Sequence, residues 1–487
     1  MTVLLVFGSI VAIGIVWLIS FLWGRPWTIR GLMNRTFLKF VFKGPELLTY
    51  LGILEKFGIH GHNAKLSDAS EAFQDKMFAL IRRDNKLLAS YKTDNAKRGD
   101  KLSAEVFAWF LSDLVSGEKF RHHDYPVNQM FGVQSELPNF MMTIHPITCR
   151  VEAYNYIKRL NKFSIKFSQI MEGLKIREQK GIIPPRFVIE RVLAEMRAFT
   201  EKSAVENPLY TVFKDKLEKV PRITAHERER ILAQAASTIE TSVYPAYATF
   251  IEYFDALLAK ATTDDGVWKL PAGDRYYAYL LRSHTTTNES ADAIHNTGLV
   301  EVERIETAMR KVFQEQGFGT VEQPARKLAE LARDERFQFP DTDEGRKACL
   351  AEYERILNEM KAKLPDWFNI QPKADLKVER IPEFREKTAP GAYYQPAALG
   401  GGRPGVFYAN LRNMKEIAKF GMKTLAYHEG IPGHHFQIAL AQETKHLPLF
   451  RRMLPFTAYD EGWAMYAEHL GREMGMYTDD PFGLLGS

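Results

Sequence analysis

Apolar residues recur at helical spacing along most of this chain. One stripe follows a candidate N-cap at Ser67 and comprises Phe73, Met77, Leu80 and Ile81. A second comprises Leu350, Tyr353, Leu357 and Met360. Residues spaced three, four and seven positions apart share one face of a helix, so each stripe is expected to be buried against neighbouring elements. The pattern predicts a mainly α-helical protein.

A capping pair and a proline indicate where one long helix begins and where it bends or ends. Thr224 and Glu227 have the spacing of a capping box, which predicts a helix start. Pro245 lies further along the same apolar pattern. Because proline lacks a backbone N–H and crowds the preceding turn, we expect this helix to bend or end there.

One short segment departs from the helical pattern. Val406–Leu411 is rich in β-forming residues and follows a glycine-rich loop over residues 400–405. We expect a small β element here, an edge strand beside the helix that contains residue 428. Such a strand either pairs with an extended peptide or only packs against its neighbours.

The first 24 residues carry no charged side chain. Val3–Trp23 is an apolar stretch of 21 residues, and about 20 suffice for a helix to cross a bilayer. Trp23 and Trp27 lie where interfacial aromatic residues are common. We therefore expect a transmembrane anchor over residues 1–24 and a single-pass location in the cell membrane.

Basic residues without any acidic one follow this apolar stretch. They are Arg25, Arg30, Arg35, Lys39 and Lys43, and they account for the whole net charge of +5 in a chain with 65 basic and 60 acidic residues. We interpret residues 25–45 as a basic juxtamembrane linker helix that contacts anionic lipid and has no nucleic-acid partner. The positive-inside rule then places the following domain in the cytoplasm.

The rest of the composition is that of a large folded domain. The chain has 487 residues, of which 45% are hydrophobic, enough to bury a substantial core over residues 46–487. Its two cysteines, Cys149 and Cys349, are 200 positions apart and form no ligand pattern. We expect neither a disulfide framework nor a cysteine zinc site, and favour two ordinary buried thiols over a single bridge.

Residues 428–435 read His-Glu-Gly-Ile-Pro-Gly-His-His and carry the strongest chemical signal in the chain. In the common H-E-x-x-H arrangement, two histidines four positions apart bind zinc from one helix face, and the intervening glutamate acts as general base. Here the position four after His428 is Pro432. The second ligand must then be His434 or His435, and Glu429 is the candidate base.

Pro432 and its flanking glycines bear on the choice between the two histidines. Pro432 cannot donate to the His428 carbonyl and the glycines loosen the backbone, so a local bulge is expected. In a regular helix His435 would lie about 10.5 Å along the axis from His428. That is far for two nitrogens that must each come within about 2.0–2.1 Å of one zinc. A bulge of two residues brings His434 to the ligand position, so we favour His434 and keep His435 as the alternative.

A third ligand is expected in the segment Tyr459–Glu468. The segment has the pattern of a helix start with Asp460 as its cap. Glu461 lies 27 residues beyond His434. Catalytic zinc sites usually have three protein ligands and an open position, whereas structural sites have four. Glu461 is the favoured third ligand and Asp460 the alternative.

These motifs resemble a known family. The run Ala426–Gln437, together with Glu461-Gly462-Trp463-Ala464, is similar to the bacterial family catalogued as domain of unknown function 885. Further similar stretches are Pro45–Ile53, Tyr125–Gln134, Gly273–Thr287 with Ile294-His295, and Tyr393-Tyr394 continuing to Arg403–Asn410. That family is related to the gluzincin oligopeptidases of the angiotensin-converting-enzyme and thimet groups.

The resemblance implies a multi-helix metallopeptidase fold with a deep cleft and a small β element near a zinc site. Gluzincin peptidases place a ligand glutamate on a second helix at about the distance found here. The implied Zn²⁺ ligands are His428, His434 and Glu461, with Glu429 as the base. The candidates for binding substrate or its oxyanion are Tyr394, Tyr408 and Asn410.

Together these features predict a membrane-anchored, zinc-dependent peptidase that hydrolyses short peptides. The alternatives are a zinc hydrolase of a non-peptide amide or ester, and a catalytically impaired, membrane-tethered binding protein of the same fold. Members of the family continue beyond the position of Ser487, so the domain over residues 46–487 is expected to lack a C-terminal segment. Family members also carry export signals, which imply the periplasm, in contrast to the charge bias.

Overall fold

The protein is described by a computed structural model that covers residues 16, 20–22, 24–93, 96–387, 389–454 and 456–487. Its internal packing divides it into two compact units. The first comprises the described residues up to Tyr276 together with Lys445–Leu454. The second comprises Tyr277–Thr444 and the described part of Pro455–Ser487. As predicted, the protein is mainly α-helical, and it contains one small sheet.

The described part of the first unit contains helices and no strand. Its helices are α1 (Ile29–Lys43), α2 (Pro45–Leu51), α3 (Glu71–Ala89), α4 (Arg98–Gly117), α5 (Val133–Thr143), α6 (Arg150–Leu160), α7 (Phe163–Gln179), α8 (Arg186–Glu201), α9 (Pro208–Glu218), α10 (Ala225–Thr238), α11 (Tyr244–Leu258) and the start of α12 (Gly273–Thr285). Aromatic side chains fill the core. Phe167 of α7 stacks on Phe250 of α11 with ring centroids 4.3 Å apart, a packing that contributes beyond the area it buries.

The predicted N-cap at Ser67 is wrong by three residues. Helix α3 begins after Ser70, whose hydroxyl accepts the backbone N–H of Phe73. Ser67 instead donates its backbone N–H to the Glu46 carboxylate at 2.5 Å. Both serines have the chemistry of a cap, and tertiary contacts decided which one is used.

The long helix begins after Thr224 and is interrupted near Pro245, as predicted. The Thr224 hydroxyl accepts the N–H of Glu227 and caps α10. A π-helical segment, Ile239–Val243, then connects α10 to α11, in whose first turn Pro245 lies. The wider π turn is one of the ways in which a helix accommodates a proline.

The structure does not support the predicted transmembrane anchor over Val3–Trp23. No helix among the described residues is both long and apolar enough to cross a membrane. Of the predicted span, residues 16 and 20–22 are described, and the others lie outside the described residues. The single-pass location and the membrane partner that depended on this helix are withdrawn.

Two of the five basic residues of the flank are paired within the fold. Arg30 of α1 forms an ion pair with Asp100 at 2.5 Å. Arg35, almost fully buried, lies 3.2 Å from the buried Asp84. Charges that are neutralised within the fold are not available to anionic lipid. The division of the chain at residue 45 into a linker and a hydrolase domain stays a prediction.

The second unit contains the sheet and the predicted site. Its helices are the rest of α12, α13 (Ala291–Glu315), α14 (Pro324–Leu331), α15 (Asp343–Lys363), α16 (Met422–Glu429), α17 (His434–Glu443), α18 (Thr457–Glu473) and α19 (Pro481–Leu485), and its strands are β1 (Leu376–Arg380), β2 (Ala392–Gln395) and β3 (Gly405–Ala409). A hydrophobic core is formed by residues of β2, β3 and helices α15 to α18. Tyr353 of α15 packs edge-on against Phe407 of β3, with ring centroids 4.9 Å apart.

The predicted edge strand is the central strand of the sheet. The strand order is β1-β3-β2, with β3 parallel to β1 and antiparallel to β2. All five residues of β3 are buried, which is typical of a strand covered on both faces. The prediction of an edge strand at residues 406–411 is therefore wrong, and the outer strand on this side is β2. The predicted deep cleft stays a prediction.

Candidate metal site

The octapeptide at residues 428–435 folds as two helices joined by a tight turn. Helix α16 ends at Glu429 and α17 begins at His434, so the predicted bulge is a complete break. A Cβ atom at Gly433 would lie 2.0 Å from the carbonyl oxygen of His428. The turn therefore requires a glycine at this position.

Helix α18 packs against both α16 and α17. The indole Nε1 of Trp463 donates a hydrogen bond to the Pro432 carbonyl at 2.9 Å. This bond joins the helix that carries Glu461 to the turn between the two histidines. The turn and the third predicted ligand are thus held in one local arrangement.

The three predicted ligands come together. His428, His434 and Glu461 each offer a ligand atom, and these atoms lie within 4.8 Å of one another. The Nε2 atoms of His428 and His434 lie 3.5 Å and 3.7 Å from the Oε2 atom of Glu461. Around a tetrahedral zinc with bonds of about 2.0–2.1 Å, ligand atoms are about 3.3–3.4 Å apart. The observed separations therefore fit a zinc-sized cation.

His428 is oriented by a carboxylate behind it. Its Nδ1 lies 2.8 Å from the Oε1 atom of Glu468, so Nδ1–H donates and the Nε2 lone pair faces Glu461. The hydrogen bond to Glu468 raises the pKa of His428 despite its burial. A carboxylate that fixes the tautomer of a ligating histidine is a common feature of zinc sites.

His434 is held neutral by its surroundings. Its ring lies 4.8 Å from that of His428, edge to face. Burial, followed by the neighbouring His428, lowers the pKa of His434, although Glu461 opposes the shift. Its Nδ1 is buried and has no hydrogen-bond partner among the described residues. A neutral imidazole keeps the lone pair that a metal ion needs.

Glu429 is buried at the end of α16 beside these ligands. Its carboxylate accepts the backbone N–H of Tyr394 in β2. Burial raises the pKa of Glu429 to about 7, against the opposing effects of His428 and of this hydrogen bond. A carboxyl group with such a pKa can both accept and release a proton near neutrality.

The alternative ligand, His435, lies apart from the cluster. The Tyr394 hydroxyl donates to its Nδ1 at 3.0 Å, and its Nε2 donates to the Ala374 carbonyl at 3.1 Å. Burial lowers the pKa of His435 to about 4, which keeps the ring neutral. Both ring nitrogens are used by neighbouring groups, and it is His434 that lies next to His428.

The alternative third ligand, Asp460, forms a hydrogen bond at the start of its own helix. The N-cap of α18 is Phe456, four residues before the predicted cap at Asp460, and the Asp460 carboxylate accepts the backbone N–H of Phe456. Burial raises the pKa of Asp460 to about 6. Asp460 is not part of the group formed by the two histidines and Glu461.

The three candidates for binding substrate are not in one place. The ring of Tyr408 packs against that of Tyr393, tilted by 31°, with ring centroids 5.1 Å apart. Because adjacent residues of a strand face opposite sides, Tyr394 lies on the other face, towards α17. The side-chain amide of Asn410 donates to carbonyls of the loop at residues 386–390. Their roles stay predictions, and only Tyr394 lies on the face of the candidate site.

Glu468 is the functional candidate that the sequence reasoning missed. It follows Glu461 by seven residues in α18, so both carboxylates lie on one helix face two turns apart. That spacing was the available signal. It was not decisive, because solvent-exposed helix faces commonly carry acidic residues at the same spacing.

Comparison with known proteins identifies a family and a fold. The family model described as "Bacterial protein of unknown function (DUF885)" matches residues 45–487. A solved structure titled "The crystal structure of the putative lipoprotein from Colwellia psychrerythraea" is 30% identical, with a TM-score of 0.88, over 94% of this chain and 80% of the other.

A second solved structure is a more distant match. It is titled as a "putative lipoprotein of unknown function from Shewanella oneidensis" and is 14% identical, with a TM-score of 0.61 and the same two coverages, 94% and 80%. At this identity the likeness concerns the fold alone. No curated protein matches the chain.

Proposed function

The chain belongs to the bacterial DUF885 family, and we propose that it is a zinc-dependent hydrolase that cleaves peptide bonds. The observation that carries the proposal is the convergence of two imidazoles and one carboxylate, from His428, His434 and Glu461, beside the buried carboxyl group of Glu429. Two histidines and a glutamate form one of the ligand sets of catalytic zinc sites, which leave a position open for water.

Three properties of the residues fit zinc. The ligand atoms have the separations that a tetrahedral ion needs. His434 is held neutral, so that Nε2, which faces Glu461, can carry the lone pair that an ion needs. Glu468 fixes the tautomer of His428 so that Nε2 faces the shared centre.

In the proposed reaction the ion would act as a Lewis acid and Glu429 would transfer the proton. When bound, zinc would supply Lewis-acid chemistry that polarises the substrate carbonyl and makes water more acidic. Glu429 would take a proton from a water molecule while the water oxygen bonds to the carbonyl carbon of the substrate. Glu429 would then deliver that proton to the departing amine as the C–N bond breaks. The Tyr394 N–H would hold the Glu429 carboxylate in position throughout.

The sheet supports a peptide as the substrate. Strand β2 is the outer strand next to the site, and the Tyr394 N–H on its outward edge reaches Glu429. Extended peptides commonly add to an exposed sheet edge through backbone hydrogen bonds. Because Glu429 holds the Tyr394 N–H, a peptide aligned along β2 would pair with the other outward backbone groups of the strand and place an amide carbonyl beside Glu429.

The test uses Glu429→Gln, which keeps the shape of the side chain but cannot take a proton. We expect this variant to bind zinc with the wild-type stoichiometry and to lose about 100-fold or more of its turnover. Metal analysis and a peptide-library digest read by mass spectrometry are made on the same samples.

The matched control is Glu473→Gln, an exposed residue of α18 that pairs with His469. It should retain both zinc and turnover. Wild-type turnover in Glu429→Gln would contradict the role of the base. Cleavage of a nitrophenyl ester without cleavage of any peptide would contradict the substrate class.

A further inference from the structure

A second group of metal-binding side chains lies in the first unit. His60, Cys149 and Glu152 each offer a ligand atom, and these atoms lie within 4.8 Å of one another. We propose that these residues form a second zinc site, built from one imidazole, one thiolate and one carboxylate. The site shares no residue with the one described above and does not depend on the proposed function.

Two segments that are distant in sequence supply the ligands. Cys149 is the N-cap residue of α6, and Glu152 lies in its first turn. His60 directly precedes a short 3-10 helix at Gly61–Ala64. The Nδ1 of His60 lies 3.0 Å from the Oε1 of Glu152, so the two segments already meet at the proposed ligands.

The surrounding hydrogen bonds hold two of the ligands in place. The second carboxylate oxygen of Glu152 accepts both the backbone N–H and the hydroxyl of Thr148, at 2.7 and 2.8 Å. The Asn155 amide donates to the backbone carbonyl of His60 at 2.8 Å. Because Oε2 is taken, the carboxylate presents Oε1 to His60. Such supporting contacts are typical of metal ligands.

A purely structural reading explains part of this cluster. Glu152 bonds the start of its own helix in the manner of a capping residue, and His60 donates to it. That reading does not account for the Cys149 thiol beside the same two groups. A thiolate with an imidazole and a carboxylate suits Zn²⁺ and excludes Mg²⁺ and Ca²⁺, which prefer oxygen ligands.

Binding follows a simple proton balance. Cys149 loses its thiol proton, which passes to solvent, and His60 binds as the neutral ring through whichever nitrogen carries no proton. The hydrogen bond between His60 and Glu152 is replaced by their bonds to the ion. Three protein ligands leave one tetrahedral position for water. The site would tie the segment at residues 58–64 to the N-terminus of α6.

Cobalt(II) distinguishes this site from the first, because only this one contains sulfur. The metal-free full-length chain is titrated with Co²⁺ and followed by absorption. We expect a near-ultraviolet sulfur-to-cobalt charge-transfer band in the wild-type protein and in His434→Ala. The band should be lost in Cys149→Ser and kept in Cys349→Ala, whose thiol is buried in the second unit.

Zinc stoichiometry gives an independent measurement. Relative to wild type, His60→Gln should bind one zinc fewer, and the circular dichroism spectrum of the metal-free variant should match that of the metal-free wild type. The proposal is overturned if wild type shows no such band, if the band persists in Cys149→Ser, or if His60→Gln retains the full zinc content.

Discussion

The hydrogen bond between Glu468 and His428 shows how a residue outside the ligand set can control it. Glu468 Oε1 lies 2.8 Å from His428 Nδ1, while Nε2 faces Glu461. The bond selects one tautomer and holds the ring in one orientation. Without it, His428 could present a protonated nitrogen to the ion.

Glu468→Gln should therefore weaken zinc binding by about 10–100-fold. Glutamine accepts the same hydrogen bond, but it carries no charge to make the ring a better electron donor. Competition with a chromophoric chelator measures the affinity. Glu473→Gln, five residues further along α18, is the control and should bind zinc as the wild type does. Equal affinities for both variants would contradict the role of Glu468.

The turn between α16 and α17 decides which histidine can join the cluster. Gly433 lies so close to the His428 carbonyl that a Cβ atom would be 2.0 Å from that oxygen. Any substitution there must move the start of α17, which is His434 itself. The geometry of the site thus depends on an element that contains no ligand.

Gly433→Ala should lower zinc affinity by more than about 10-fold and destabilise the fold by about 1–3 kcal/mol, because the added Cβ would clash with the His428 carbonyl. Isothermal titration with zinc and urea unfolding measure the two effects. Gly298→Ala in α13 is the matched control, because a Cβ there meets nothing within 4 Å. That change should stabilise the fold by about 0.5–1 kcal/mol and leave zinc binding unchanged. Retained zinc affinity in Gly433→Ala would show that the turn is not needed.

Helices α2 and α7 are connected by a half-buried ion pair. The Glu46 carboxylate lies 2.6 Å from the Lys166 ammonium and also accepts from Ser67. Burial alone would raise the pKa of Glu46, but Lys166 and Ser67 outweigh it, and the pKa is lowered. A carboxyl group with a depressed folded-state pKa stabilises the fold above its unfolded-state pKa. That contribution is lost as the pH falls through the folded-state value.

Glu46→Gln should reduce the free energy of unfolding by about 1–3 kcal/mol at neutral pH. The difference from wild type should shrink as the pH is lowered from about 7 to about 3, because Glu46 becomes protonated in the wild-type protein. Urea unfolding at several pH values across this range measures the difference in the free energy of unfolding. The exposed Glu172 of α7 provides the control, since Glu172→Gln should have no effect at either pH. A difference for Glu46→Gln that is independent of pH would contradict the charge-based explanation.

At the scale of the whole molecule, the described residues of each compact unit include one candidate metal group. His428, His434 and Glu461 belong to the second unit, and His60, Cys149 and Glu152 belong to the first. A ligand that binds only the folded form stabilises the part of the structure that must open to release it. Zinc should therefore protect particular segments and not the chain uniformly.

Hydrogen exchange measured with zinc at about 100 times its dissociation constant should slow about 100-fold in α16 to α18, equivalent to about 2.7 kcal/mol. In His434→Ala this protection should disappear. Amides of α8, which contains none of the proposed ligands, provide the internal control. Uniform slowing along the chain, or none in α16 to α18, would contradict zinc binding at this site.

Much of the fold could be predicted from local pattern. The two apolar stripes lie on helices α3 and α15 and Thr224 caps α10, because helical periodicity and capping depend on residues within a few positions of one another. In the α3 stripe Ile81 is buried, and Phe73, Met77 and Leu80 are half-buried. The cap at Ser67 and the edge position of residues 406–411 were wrong. Each depends on a partner distant in sequence, Glu46 in one case and β1 with β2 in the other.

In the candidate site, too, some features could be predicted from local sequence and others depend on residues distant in the chain. The ligand and base chemistry of His428, Glu429 and Glu461 and an irregular turn at Pro432 could be predicted from residue types and spacing, whereas the complete break between α16 and α17 could not. Three other features could not be predicted in this way. They are the position of Glu468 behind His428, the location of Tyr394 and Tyr408 on opposite faces of the sheet, and the location of His435 outside the cluster. They depend on which helix faces meet and on which side of a strand a residue lies, neither of which one segment determines.

By itself, the sequence determined the helical class, the ligand types and the need for an irregular turn, because each is a property of neighbouring residues. Only the tertiary structure decided that His434 and not His435 joins Glu461. It also brought Cys149, which has no ligand pattern in sequence, beside His60 and Glu152. The physical reason is that a metal site is a set of distances between atoms, and packing determines those distances among residues far apart in the chain.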